Sequence, residues 1–351
     1  MLSVYSRIVD IPKKLIDKWN GKSDISIEQR PQWLEACEML LADYSPIYFF
    51  LIKNDEIEGI AIGGLKKDLD CINFIKDAEV IDKVSQKRKE NPTYFFYNVL
   101  FLGVPMSTNS GMICEESSLT SFMQNINEYI LAKGLANGLF ITNLPDNISG
   151  MEGITFPYLP NTKLELQYDN FNDYLQSLKK KKRWDLKNKR NIFLDKGNKV
   201  IIRANSEIID YKDIYNLYIQ TEEKNDTNIN YIFYSRENKF HEFSLLDDSY
   251  KWFLVYKGNR IIAFALIVLD GENLLFKHVG MDYELEKDSY CYFNLYYEAI
   301  LFAIENKYKK MLCGTTTYDV KRRLGCTLVH RKAILQFVGA EIDENIKEMG
   351  F

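Results

Sequence analysis

Two stretches of this chain recur in the same order, and that recurrence constrains its fold more than any other feature. FFLIKNDEIEGIA, from Phe49, aligns without a gap on FLVYKGNRIIAFA, from Phe253, pairing Lys53 with Lys257, Ile57 with Ile261 and Ala61 with Ala265. NVLFLGVPM, from Asn98, aligns on NLLFKHVGM, from Asn273, where Asn, Leu, Phe, Val and Met repeat in place. The first member of each set reads as strand, turn, strand, with Asn54-Asp55 and Gly258-Asn259 as the turns. The second reads as an apolar strand. An amphipathic helix and another strand follow in each half: Leu119 to Lys133 then Leu139 to Thr142, and Tyr292 to Asn306 then Lys310 to Cys313. This order predicts an internal duplication of one α/β module, with domains at 1–165 and 166–351. A single large α/β domain with coincidentally similar strands is the alternative.

The 351 residues suffice for two modules with real cores. A composition 46% hydrophobic and 14% aromatic, with net charge −4, excludes general disorder and gives no global sign of nucleic-acid binding. The six cysteines form no CxxC pair and none sits at zinc-ligand spacing with a histidine, so no metal site is expected. Scattered single cysteines, no apolar leader in MLSVYSRIVDIPKKL and no bilayer-length apolar run predict a soluble cytoplasmic protein without membrane insertion.

Between the repeats lies FNDYLQSLKKKKRWDLKNKRNIFLDKG, 171–197. It reads as a long basic helix or a helical hairpin that starts near Asp173 and stops at Gly197. Leu175, Leu178, Trp184, Leu186, Ile192 and Phe193 are its candidate apolar contacts. Its basic cluster, Lys179 to Arg183 with Lys187, Lys189 and Arg190, suits a polyanion such as tRNA or an acidic carrier protein. A solvated helix face is the simpler reading of the same lysines.

Three segments resemble one superfamily: YLQSLKKKKRWDLKNKRN, YYEAILFAIENKYKKMLCG and GTTTYDVKRRLGCTLV. Hairpin, central strand, helix and strand in tandem, joined by a basic helical segment, are similar to the FemXAB-like and peptidoglycan-biosynthesis-like tandem GNAT (Gcn5-related N-acyltransferase) proteins. The resemblance implies two GNAT-like modules, each a mixed sheet flanked by helices. It implies an N-acyltransferase that moves an acyl or aminoacyl group from an activated donor to an amine of a small molecule or peptide. The donor would be a co-substrate, acyl-CoA or a carrier-protein thioester, with no tightly bound cofactor. Aminoacyl-tRNA-dependent Fem-type transfer and a non-catalytic ligand-binding module are the alternatives. No heptad arm of the kind seen in tRNA-using Fem proteins is legible.

Acyl transfer to an amine needs an anchored leaving group, a polarised carbonyl and a proton acceptor. The glycine-rich anion loop of ordinary GNAT enzymes is replaced here by YELEKDSYCYF, from Tyr283. Ser289 and Tyr290, ahead of a helix N-terminus, are candidate donor-binding residues, with Ser289 equally suited to a simple N-cap. Tyr318, Lys321 and Arg322 are candidates for holding phosphate or carboxylate, and Lys182 and Arg183 extend that set. His278 stands where the first repeat has Gly103, and Glu222 lies near the end of a helix. These two are the candidate proton acceptors, against readings as a core histidine and a solvent-facing acid. No His–Cys pairing is visible, so direct attack without a covalent thiol intermediate is expected.

Overall fold

The computed structural model describes residues 1–41, 44–74, 78–148, 151, 153–225 and 240–338. In chain order the strands are β1 (Leu2–Tyr5), β2 (Ser45–Lys53), β3 (Glu56–Asp70), β4 (Phe96–Leu102), β5 (Met112–Cys114), β6 (Gly138–Pro145), β7 (Ile154–Glu165), β8 (Asn198–Ala204), β9 (Tyr250–Lys257), β10 (Arg260–Asp270), β11 (Asn273–Met281), β12 (Lys310–Gly314) and β13 (Thr327–Phe337). The helices are α1 (Lys13–Asn20), α2 (Pro31–Leu40), α3 (Ala78–Lys87), α4 (Glu116–Lys133), α5 (Phe171–Ser177), α6 (Lys180–Asp195), α7 (Lys212–Asn225), α8 (Cys291–Glu305) and α9 (Tyr318–Arg323). The chain divides into two compact units. One holds the described residues of Met1–Leu159 with His330–Val338, and the other holds the described residues from Pro160 to Val329.

Within the first unit the strand order is β1-β2-β3-β4-β6-β13, with β5 pairing β3. All neighbours are antiparallel except β4 and β6, which run parallel. Strand alternation explains how both faces are covered. Ile47, Phe49 and Leu51 of β2 point into a core shared with Leu119, Phe122, Ile126 and Ile130 of α4. The intervening Tyr48 and Phe50 meet Trp19 of α1 on the other face. The β2–β3 turn places Asn54 and Asp55 at φ 51 and 64, a conformation these short polar side chains tolerate. Helix α4 stops where expected, on Gly134 at φ 58.

Within the second unit the order is β8-β9-β10-β11-β12-β7, again antiparallel except for one parallel pair, β11 with β12. The fold class is therefore α/β, mixed sheets flanked by helices, and the pattern of pairings is the same in both units. The turn Gly258-Asn259 joins Lys257 to Arg260 as Asn54-Asp55 joins Lys53 to Glu56. Phe253 and Val255 enter a core with Leu295, Ala299 and Ala303 of α8. Trp252, on the opposite face, donates its indole N–H to Asn205 Oδ1 at 2.8 Å.

The basic segment is a helical hairpin rather than one helix. Asn170, not Asp173, caps α5 by accepting the Asp173 N–H. The chain then breaks at Leu178 and Lys179 before α6. Of the candidate apolar contacts, Leu175, Leu178, Leu186 and Phe193 are buried, but Trp184 is 66% exposed. Helical spacing accounts for this: Leu186 and Phe193 share the inward stripe, and Trp184 falls outside it.

Candidate active site

The candidate residues lie around the point where β11 and β12 part. Their parallel ladder runs Asn273↔Lys310, Leu274↔Met311, Leu275↔Leu312 and ends there, while β11 continues to Met281. Just beyond, the β10–β11 register slips, with Ile267 opposite Phe276 but Ala265 opposite Val279. One extra residue on β11 makes a bulge at Lys277 and His278, and a bulge re-aims side chains. Phe276 lies in the α8-side core and stacks on Tyr296, ring centroids 3.9 Å apart. His278, two residues on, meets Tyr218 of α7 edge-on at 5.9 Å.

That arrangement depends on Gly280. A Cβ there would lie 2.6 Å from the α7 backbone at Leu217 and Tyr218 and 2.3 Å from the Phe264 ring. Helix α7 therefore lies directly on the strand, and the Met281 N–H reaches Thr221 Oγ1 at 3.1 Å. The His278 residue is half-buried, but its Nε2 is shut off from solvent with no protein partner among the described residues. Burial, helped by Lys277, pulls its pKa down to about 3. The imidazole is neutral at pH 7. Glu222 is half-buried on α7, one turn beyond Tyr218.

The other candidates gather on the α6, α8 and α9 side. Lys182 Nζ donates to the Arg322 carbonyl at 2.6 Å, joining α6 to α9. Arg322 pairs with Asp319, and Arg183 donates to the Gln176 side chain and carbonyl. The Tyr318 hydroxyl donates to the Pro160 carbonyl at 3.0 Å. Lys321 is 2% exposed and its ammonium donates to the Thr315 carbonyl at 2.6 Å. Burial lowers its pKa to about 8, so it is still largely cationic at neutral pH. An ammonium so enclosed fixes the Thr315–Tyr318 turn, where Thr316 and Thr317 both take positive φ.

Ser289 is not an N-cap. Tyr290 holds that position, at φ 55. The Cys291 N–H donates to Glu286 Oε1 at 3.2 Å, so the chain's own carboxylate meets the start of α8. The Ser289 hydroxyl is buried without a partner among the described residues. Tyr290 lies beside Lys189, whose ammonium is 5.5 Å from its ring and 3.8 Å from that of Phe293.

Sequence reasoning missed two tyrosines. The Tyr292 hydroxyl lies 2.7 Å from Thr317 Oγ1 and 3.5 Å from the Tyr296 hydroxyl. This ties the start of α8 to the turn before α9. Desolvation raises the pKa of both phenols, so both are protonated at pH 7. Their spacing of four along one helix was the available signal. Burial likewise pushes the Cys291 thiol up to about 12, which leaves no thiolate there. Among the described residues no cluster of three His, Cys, Asp or Glu is placed to hold a metal, and no helix is long and apolar enough to cross a membrane.

The C-terminal part of the chain carries the sequence signature of a family. The FemAB-like model, described as peptidoglycan biosynthesis/recognition, matches residues 159–348, more than half of the chain. The chain belongs to the FemAB-like family. No curated protein matches its sequence. Among solved structures this FemAB-like chain is similar to FemX, at 11% identity and a TM-score of 0.60, covering 98% of this chain and 100% of that one. It is also similar to the C-terminal domain of a putative lysylphosphatidylglycerol synthetase from Agrobacterium fabrum, at 9% identity and a TM-score of 0.56, covering 95% and 94%. A tandem GNAT protein from the clavulanic acid biosynthesis pathway aligns at 7% identity and a TM-score of 0.52, covering 97% and 99%. At such identities the likeness is one of fold, and the fold is the tandem GNAT fold.

Proposed function

We propose that this FemAB-like protein is an N-acyltransferase that passes an acyl or aminoacyl group from a thioester donor, acyl-CoA or an acyl carrier protein, to an amine of a small molecule or peptide. The observation that carries this reading is the parting of β11 and β12, with a neutral His278 at the bulge just beyond it whose Nε2 has no protein partner among the described residues. Residues on the α7 side of β11 suit the acceptor amine, and residues on the α6–α8–α9 side suit the donor. His278 Nε2 takes the amine proton, with Glu222 as the second candidate. The amine nitrogen bonds to the acyl carbon, the carbon–sulfur bond breaks, and the protonated Tyr292–Tyr296 pair is a proton source for the leaving sulfur. Lys182, Arg183 and Arg322 offer charge to the donor's anionic groups. Lys321, Tyr318, Ser289 and Tyr290 shape the turn and helix start between them.

The test is mass-spectrometric detection of an amide product from a panel of thioester and aminoacyl donors. His278→Ala should lower kcat by roughly 100-fold with little change in donor KM. Full activity in His278→Ala removes the histidine from the chemistry. One observation favours a second reading, a non-catalytic ligand-binding module: Glu286 already accepts the N–H that a donor phosphate would use at α8. On that reading no donor in the panel turns over, and the same variant changes ligand affinity alone. An aminoacyl-tRNA donor would appear as product only in the aminoacyl arm.

A further inference from the structure

Helix α6 shows its outer face a pattern that the transfer reading does not use. Inward, Leu186, Lys189 and Phe193 are buried, and Arg190 is held by Glu298 and Asn294 of α8. Outward, Trp184 is 66% and Leu194 49% exposed. Lys180 and Lys187, one turn before and after Trp184, are exposed on that face, and Lys181 flanks it. At 100° per residue these five side chains fall within a sector of about 140°. Arg323 of α9 is also exposed, and Lys182 joins α9 to α6. The other three tryptophans, Trp19, Trp33 and Trp252, are each 0% exposed. A solvent-facing indole ringed by ammonium groups, on a chain of net charge −4, is therefore a local device.

We propose that this face of α6 docks the protein on an anionic phospholipid surface. Lysines on a helix are drawn to acidic headgroups, and an indole beside them settles at the boundary between headgroups and chains. The identity of the exposed apolar residues decides against nucleic acid. A single-stranded partner needs a succession of aromatic platforms, and here the indole is followed by an aliphatic Leu194, on which no base stacks. A duplex partner would use the lysines but leave the indole in water. Its apolar residues lie among its charges, which suits a fluid headgroup layer. This inference is independent of whether the protein transfers acyl groups.

The indole is its own reporter, because the other three tryptophans are already buried. The unaltered protein is mixed with vesicles of phosphatidylcholine alone, or of phosphatidylcholine with about one-third phosphatidylglycerol, and co-sedimentation and tryptophan emission are recorded. With anionic vesicles at low salt the protein should pellet and its emission should shift to the blue. Lipids carrying a quencher near the headgroup should quench that emission. Neutral vesicles or high salt should abolish both effects. Lys180→Glu/Lys181→Glu/Lys187→Glu should reduce partitioning by at least about 100-fold. Trp184→Ala should weaken it roughly fivefold or more and remove the blue shift. Far-UV circular dichroism checks that the variants fold, and lipid quenching of the unaltered protein decides the matter if they do not. Equal binding to neutral vesicles, no binding, or binding that Trp184→Ala leaves unchanged overturns the proposal. So does an emission shift produced by tRNA or an acidic carrier protein but not by anionic vesicles.

Discussion

His278 joins the proposed chemistry to the stability of the protein. Its folded pKa, about 3, lies below its ordinary value of 6.5 because the ring is enclosed and Lys277 is near. Between those values the unfolded chain binds a proton that the folded chain refuses. The resulting stability is complete above pH 6.5 and is lost as pH falls toward 3. At pH 5 that linkage amounts to roughly 2 kcal/mol. Chemical denaturation of the protein and of His278→Phe at pH 7.5 and pH 5 should therefore show the unaltered protein losing more stability than the variant. Parallel losses would place the imidazole in contact with water. Asn205 is a second residue on which much depends, and nothing in the sequence marks it. Its amide donates to the Phe243 and Leu246 carbonyls, and its Oδ1 accepts from Trp252 Nε1 and the Tyr211 hydroxyl. Four bonds satisfy one buried side chain. Asn205→Leu strands four buried polar groups and should cost roughly 3 kcal/mol or more in urea denaturation.

At the scale of elements, the contact of α7 with β11 decides whether His278 and Glu222 occupy one side of the strand. Only hydrogen at the Gly280 Cα lets the helix backbone come so close. Gly280→Ala must push back either the helix or the Phe264 ring and should cost roughly 3 kcal/mol, the upper part of the range for overpacking. If activity is present, the same change should lower kcat more than it raises donor KM, because it displaces Tyr218 from His278 and leaves the α6–α8–α9 corner intact. An unchanged melting temperature would show that α7 yields freely. The bulge at Lys277 and His278 is why strand alternation alone does not give the direction of the histidine. Phe276 and His278 are two apart, so a regular strand puts them on one face, and the extra residue sends them to opposite ones.

At the scale of the whole molecule, the first unit takes its last strand from the far end of the sequence. Arg331 to Phe337 of β13 pair with Gly138 to Pro145 of β6, and Ile334 enters the core beneath α4. Residues 1–159 expressed alone should therefore show no cooperative unfolding transition, since the β6 edge and the apolar groups beneath it stay uncovered. A sharp calorimetric transition for that fragment would show that the unit closes without β13. Much of the fold was legible beforehand. The hairpins, the central strands, the ends of α4 and α8 and the recurring order follow from turn residues and apolar periodicity, which are local physics. The basic cluster and the histidine could likewise be named as candidates. The sequence could not show that Lys321 is enclosed and bonded to a backbone carbonyl, that Glu286 meets the start of α8, that Tyr292 reaches Thr317 or that Trp184 faces water. Each depends on groups brought together from distant parts of the chain. Period and composition determine which elements form and which of their faces are apolar. Burial, bulges and hydrogen-bond partners come only from packing, and here they decide which charges hold the fold and which face water.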